Sequence, residues 1–164
     1  MAPFGASRAG LMSTRVDAIP DSVVSRPEDD ESASQTGLRG VKIETNVEWS
    51  AIGARISGNA AGITNAEIRR DSDDTLMGST SFDSKGAGDT FTIELDNNLV
   101  SDERYYFELD ADGDSYTQGF YRADGEFPFI SDDEDLSIVD GSFDGGEQSD
   151  LTNNIDQIGN VGFD

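Results

Sequence analysis

The chain contains no cysteine and no histidine. Without cysteine there is no disulfide framework, no thiol nucleophile and no thiolate metal site. Without histidine, Ser-His-Asp triads, imidazole zinc sites and the commonest general base are excluded as well. Lysine is nearly missing, with Lys42 and Lys85 the two present. No apolar run is long enough to span a bilayer as a helix. The opening MAPFGASRAGLMSTR lacks the apolar stretch of a signal peptide, so export by that route is not expected. There is no Asn-x-Ser/Thr sequon either.

What the chain does have is acid. Its 164 residues carry 34 acidic and 11 basic side chains, a formal charge of -23. Such a field repels nucleic-acid phosphates and anionic lipid, so neither is an expected partner. It also destabilises a compact chain through self-repulsion, unless salt screens it. At molar salt the Debye length is roughly 3 Å and most of that repulsion is gone. Many carboxylates, few lysines and a lean core (35% hydrophobic residues) together point to a protein built for very high salt.

The length suffices for one well-buried domain and a terminal arm. Residues 1–36 read as an extended N-terminal arm and linker, and residues 37–164 as an acidic β-sandwich domain. Up to Pro27 the chain has three arginines against two aspartates, whereas the remaining 137 residues carry 32 acids and 8 bases. Pro3, Pro20 and Pro27 discourage regular structure there. One reading is a loose terminus. The other is an arm that docks on a partner through Phe4, Leu11 and Met12 and through Ile19, Val23 and Val24. The polar run Glu28–Thr36 then reads as a solvated linker.

From Gly40 onward the pattern is β. Val41, Ile43, Thr45, Val47 and Trp49 alternate with polar residues, and Ile52, Ala54 and Ile56 repeat the period. Phe91, Ile93 and Leu95 follow a Gly-Asp turn, and Asn97-Asn98 is expected to end that strand. Leu136–Val139 and then Ile155, Ile158, Val161 and Phe163 close the series. No segment shows a sustained helical period. Strands at spacings of roughly 8–12 residues predict an all-β, antiparallel, jelly-roll-like β-sandwich.

The densest aromatic stretch is YYFELDADGDSYTQGFY, Tyr105–Tyr121, which reads as a strand, an acidic turn and a second strand. Tyr105, Phe107 and Leu109 face the core; Tyr106 and Glu108 take the other face. Asp110, Asp112 and Asp114 have the one-three-five spacing of a carboxylate calcium loop. The sixth position is Ser115 instead of Gly and the twelfth is Tyr121 instead of Glu, so an EF-hand is excluded. A looser Ca²⁺ or Na⁺ site on these aspartates stands against a plain solvated turn. Asp132–Asp135 reads as a solvated loop. Tyr116 and Tyr121 suggest glycan contact by stacking, whereas Trp49 reads as core. Paired carboxylates suited to glycoside hydrolysis occur everywhere in so acidic a chain and therefore identify no catalytic residue.

With these residues in view, the series Asp71, Leu76, Gly78, then Gly88, Asp89, Phe91, Leu95, then Tyr105, Phe107, Leu109, Asp110, Gly113, Ser115, Thr117 and Gly119 resembles a recurrent β-sandwich module. Such modules occur in virion proteins of haloarchaeal tailed viruses and, in related form, in secreted or anchored prokaryotic proteins. IPDSVVSRPEDD, Ile19–Asp30, resembles the lead-in of the viral module, and NNIDQIGNVG, Asn153–Gly162, its closing segment. The resemblance implies attachment to, or decoration of, a virion and carries over no catalytic residue. A non-enzymatic structural protein follows as the expectation, placed on the capsid or in the tail. It would be homo-oligomeric, with a trimer favoured, and partnered by other virion proteins and by a host surface glycan or S-layer. A carbohydrate-binding module of a haloarchaeal surface protein is the alternative.

Overall fold

The computed structural model describes residues 22–160. Among them the chain forms β1 (Val23–Ser25), β2 (Glu31–Gln35), β3 (Arg39–Thr45), β4 (Trp49–Ile56) and β5 (Ala61–Arg70). β6 (Leu76–Gly86), β7 (Thr90–Leu99), β8 (Arg104–Asp110) and β9 (Tyr116–Arg122) follow. β10 (Phe129–Ile130), β11 (Leu136–Phe143), β12 (Gly146–Glu147), β13 (Leu151–Asn153) and β14 (Ile155–Gly159) complete the set. The strands make two antiparallel sheets in a β-sandwich-like arrangement. The smaller has the order β1-β14-β4-β7, and the larger runs β10-β11-β3-β8-β5-β9-β13, with β2, β6 and β12 added at β9, β5 and β11.

The period-two pattern explains the core. Val41 and Ile43 of β3, Ile52, Ala54 and Ile56 of β4, Ile93 of β7 and Ile155 and Ile158 of β14 are buried together between the sheets. Phe107 of β8 stacks on Phe91 of β7, with ring centroids 6.0 Å apart, and so joins the large sheet to the small one. β8 lies between β3 and β5, and Tyr105, Phe107 and Leu109 are fully buried on its inner face. Trp49 is in the core as well.

Several expectations are corrected. The apparent hairpin at Tyr105–Tyr121 is not one, because β8 and β9 share no ladder. The chain from 104 to 122 instead runs antiparallel to the chain from 31 to 45 in two successive pieces, β8 on β3 and β9 on β2. The acidic turn interrupts this long pairing and does not reverse it. The expected linker Glu28–Thr36 accordingly contains β2, whose backbone pairs with β9 despite its polar sequence. The nine-residue alternation from Val41 to Trp49 is broken at 46–48, where the chain leaves the large sheet for the small one and exposes Val47. β7 continues through Asn97-Asn98 to Leu99. Val161 and Phe163 lie outside the described residues.

Candidate functional site

β8 is buried on both faces, and its outer face carries charge. In an antiparallel sheet, directly opposed residues put their side chains on the same face. One cross-strand row on that face is Ser142, Gly40, Glu108, Glu67 and Ser79, from β11, β3, β8, β5 and β6. The neighbouring row is Asp140, Lys42, Tyr106, Arg69 and Leu76. The outer face is thus a polar layer where a sandwich ordinarily meets water.

Gly40 opens the first row. A Cβ there would lie 1.9 Å from the Phe107 carbonyl oxygen, so no other residue fits at this strand contact. Because Gly40 has no side chain, the Ser142 hydroxyl crosses it and donates to Glu108 Oε1. The loop after β11 folds back over the same spot, and the Gly145 N–H donates to Oε1 at 3.0 Å. Glu108 is 0% exposed, and its second oxygen, Oε2, has no hydrogen-bond partner among the described residues. Burial pushes its pKa up to about 7; the Gly145 and Ser142 bonds pull the other way, and the charges of Asp144 and Glu67 add to the rise.

Glu108 lines a cavity of about 320 Å³ together with Glu67, Arg69, Asp74, Tyr106, Asp144 and Leu38. Arg69 is engaged at its rim: Nε donates to Glu67 Oε1 at 2.8 Å, and Nη1 to the Asp74 carbonyl at 3.0 Å. Leu38 N–H donates to Asp144 Oδ1 at 3.2 Å. In the second row Lys42, only 4% exposed, donates to Asp71 Oδ1 at 2.7 Å. Its neighbour Asp140 has a pKa raised chiefly by burial.

A second constellation roots the N-terminal side of the chain. Arg26 and Asp29 pair at 2.5 Å with side chains 0% and 1% exposed. Arg26 Nε also donates to the Ile155 carbonyl at 3.0 Å, and Nη1 to the Pro27 carbonyl at 2.6 Å. The other Asp29 oxygen accepts the Asn59 N–H at 2.9 Å. Gly119 makes room for it, since a Cβ there would sit 2.1 Å from Asp29 Oδ2. Ser22 Oγ donates to Asp133 Oδ2 at 2.8 Å, which ties the first described residue to the loop before β11. The Ser131 hydroxyl, on Oδ1 at 2.7 Å, is the main cause of the lowered Asp133 pKa, and the Ser22 bond adds to it.

The residues singled out from the sequence fare unevenly. Asp110 is the last residue of β8, and Asp112 and Asp114 follow in a turn where Asp112 and Gly113 have positive φ. Among the described residues no group of three or more acidic side chains is arranged to hold a metal ion, Asp110, Asp112 and Asp114 included. Tyr116 is corrected from glycan contact to structure. It is 4% exposed, its hydroxyl donates to the Gly37 carbonyl at 2.8 Å and accepts from Asn154 Nδ2 at 3.2 Å, and burial pushes its pKa up to about 12. Tyr121 stays half-buried, with its hydroxyl on Glu126 at 2.5 Å and its ring 6.2 Å from that of Phe129. Val24 is not an arm anchor, because it pairs with Ile158 and is fully buried in the core; Val23 beside it is half-buried. Phe4, Leu11, Met12 and Ile19 lie outside the described residues.

Sequence reasoning missed Glu108 and the Arg26–Asp29 pair. The one signal for Glu108 was an acid inside an otherwise aromatic strand. Comparison with protein-family models finds no match, and comparison with curated protein sequences finds none.

Proposed function

We propose that this protein is a non-enzymatic structural component of a haloarchaeal tailed-virus virion, decorating the capsid or forming part of the tail. Its jelly-roll-like sandwich faces the brine, and its first 21 residues act as an arm that docks on other virion proteins through Phe4, Leu11, Met12 and Ile19. Assembly as a homo-oligomer, a trimer by preference, lets several weak arm contacts add by avidity. Support comes from the acidic composition, the resemblance of the strand and turn residues to viral modules, and above all the buried Arg26–Asp29 pair. A tether works only if its root does not peel away, and this root is clamped to the sandwich beside β14. Tyr121, with its partly accessible ring, is the residue left for contact with a host surface glycan.

Deletion of residues 1–21 tests the reading in a particle-reconstitution assay. The truncated protein should keep its circular dichroism and melting temperature but no longer co-sediment with particles. Undiminished co-sedimentation would refute an arm anchor. Retention of the truncated protein on polysaccharide, with no particle binding by the full chain, would favour the glycan-binding alternative.

A further inference from the structure

The cavity over Glu108 is a site for which the virion reading has no use. Among the described residues four carboxylates line it, from Glu67, Asp74, Glu108 and Asp144, against the guanidinium of Arg69. Acidic patches are ordinary in a chain of charge -23. Glu108 is not ordinary. It is fully buried, its Oε1 is saturated by Ser142 and Gly145, and its Oε2 has no partner among the described residues. Leaving a buried carboxylate oxygen unmatched is unfavourable, and a partner that brings positive charge and N–H donors relieves it.

Tyr106 narrows the chemistry. It faces the same cavity from the adjacent row, and an aromatic ring beside carboxylates suits a cation that is flat and weakly hydrated. A guanidinium meets both demands, because it forks onto a carboxylate and stacks on a ring, where an ammonium acts as a point charge. A bare metal ion does not match, since no three acidic groups among the described residues are arranged to hold one. We propose that the cavity formed by Glu108, Glu67, Asp144 and Tyr106 is a socket for a guanidinium group, the chemistry of an arginine side chain presented by a protein partner. The socket's chemistry stands whether or not that partner is a virion protein, and the test below reads the socket alone.

The probe is N-acetyl-arginine amide, with the uncharged isostere N-acetyl-citrulline amide as its control. Both are titrated into the full-length, isotope-labelled protein at constant ionic strength. The Gly145 amide and the Glu108 carboxyl carbon report binding by NMR. Arginine amide should shift both signals saturably, and citrulline amide should bind at least about tenfold more weakly, the loss of one charge-assisted contact. Glu108→Gln should weaken arginine binding by a similar factor, read at the Gly145 amide. Equal shifts from the two probes, or no saturable shift from either, would overturn the proposal on the native chain, without reliance on any variant. Unchanged arginine binding in a folded Glu108→Gln protein would overturn it too.

Discussion

Arg26 and Asp29 lie three residues apart and form an ion pair that solvent does not reach, with side chains 0% and 1% exposed. Breaking a buried pair from one side leaves the other charge unmatched, which costs about 3–5 kcal/mol. Asp29→Ala should therefore lower unfolding free energy by about that much, measured by denaturant melts. Gly119→Ala, which drives a methyl into Asp29, should destabilise in the same direction, by at least ~1–3 kcal/mol. If both variants melt like the native chain, the clamp does not hold the N-terminal strand in place.

Glu108 makes stability fall as pH rises. Its folded-state pKa of about 7 lies above the ordinary value of 4.5, so between those values the folded chain keeps a proton that the unfolded chain has released. That contribution is fully present below about pH 4.5 and is lost as pH rises through about 7. It amounts to about 3 kcal/mol over the window. Glu108→Gln keeps an acceptor for Ser142 and Gly145 but cannot ionise. Subtracting the variant's stability from that of the native chain, at steps from about pH 5 to about pH 8, isolates the effect from the other carboxylates. The difference should move against the native chain as pH rises; a flat difference would mean that Glu108 titrates normally.

The charge of -23 should make the fold depend on salt. At about 0.1 M NaCl the Debye length is about 10 Å and neighbouring carboxylates repel; at about 3 M it is below about 3 Å. The basic residues do not cancel the repulsion, since several ion pairs are half-exposed, Arg104 with Glu44 and Arg122 with Glu31 among them, and such pairs contribute little. Melting temperature should rise steadily from low to molar salt. Equal melting at both ends would remove the argument for a halophilic surface.

These predictions rest on features that differ in how far they can be read from sequence. Val41 and Ile43, Ile52 and Ile56, Phe91 and Ile93 were legible as core because one buried face per strand leaves a period of two. Glu108 obeys the same alternation, which places it on the face opposite the core and says nothing of what covers that face. Its burial comes from Gly145, 37 residues further on, folding back over it, and no local pattern records that contact. The stretch from Asp110 to Asp114 has real turn chemistry, with positive φ at Asp112 and Gly113, yet whether a turn reverses a chain or only interrupts a strand depends on the partner, here β2 and β3. β2 was hidden for a related reason. Ladder hydrogen bonds belong to the backbone, so a sequence such as ESASQ can serve as a strand without an apolar face. Arg26 counted toward a basic arm, but its guanidinium is used up inside the fold.

The position of the boundary between arm and sandwich has a direct consequence for truncation. Composition places it after residue 36, whereas among the described residues strand pairing already begins at Val23. Removing residues 1–21 takes away no described strand and leaves the Ser22–Asp133 bond in place. Removing residues 1–36 deletes β1 and β2, empties the buried site of Val24 and breaks the Arg26–Asp29 clamp. It also uncovers the edges of β14 and β9, whose unpaired N–H and C=O groups invite pairing between chains. Loss of the Val24 side chain and of the clamp together should remove several kcal/mol, a large part of the stability of a domain this size. The shorter deletion should stay as soluble as the full chain and melt within a few degrees of it. The longer one should aggregate or lose its cooperative transition, followed by light scattering and near-ultraviolet circular dichroism. A residues 37–164 fragment that folds and melts cooperatively would show that β1 and β2 are accessories and would move the root of the arm back to the composition boundary.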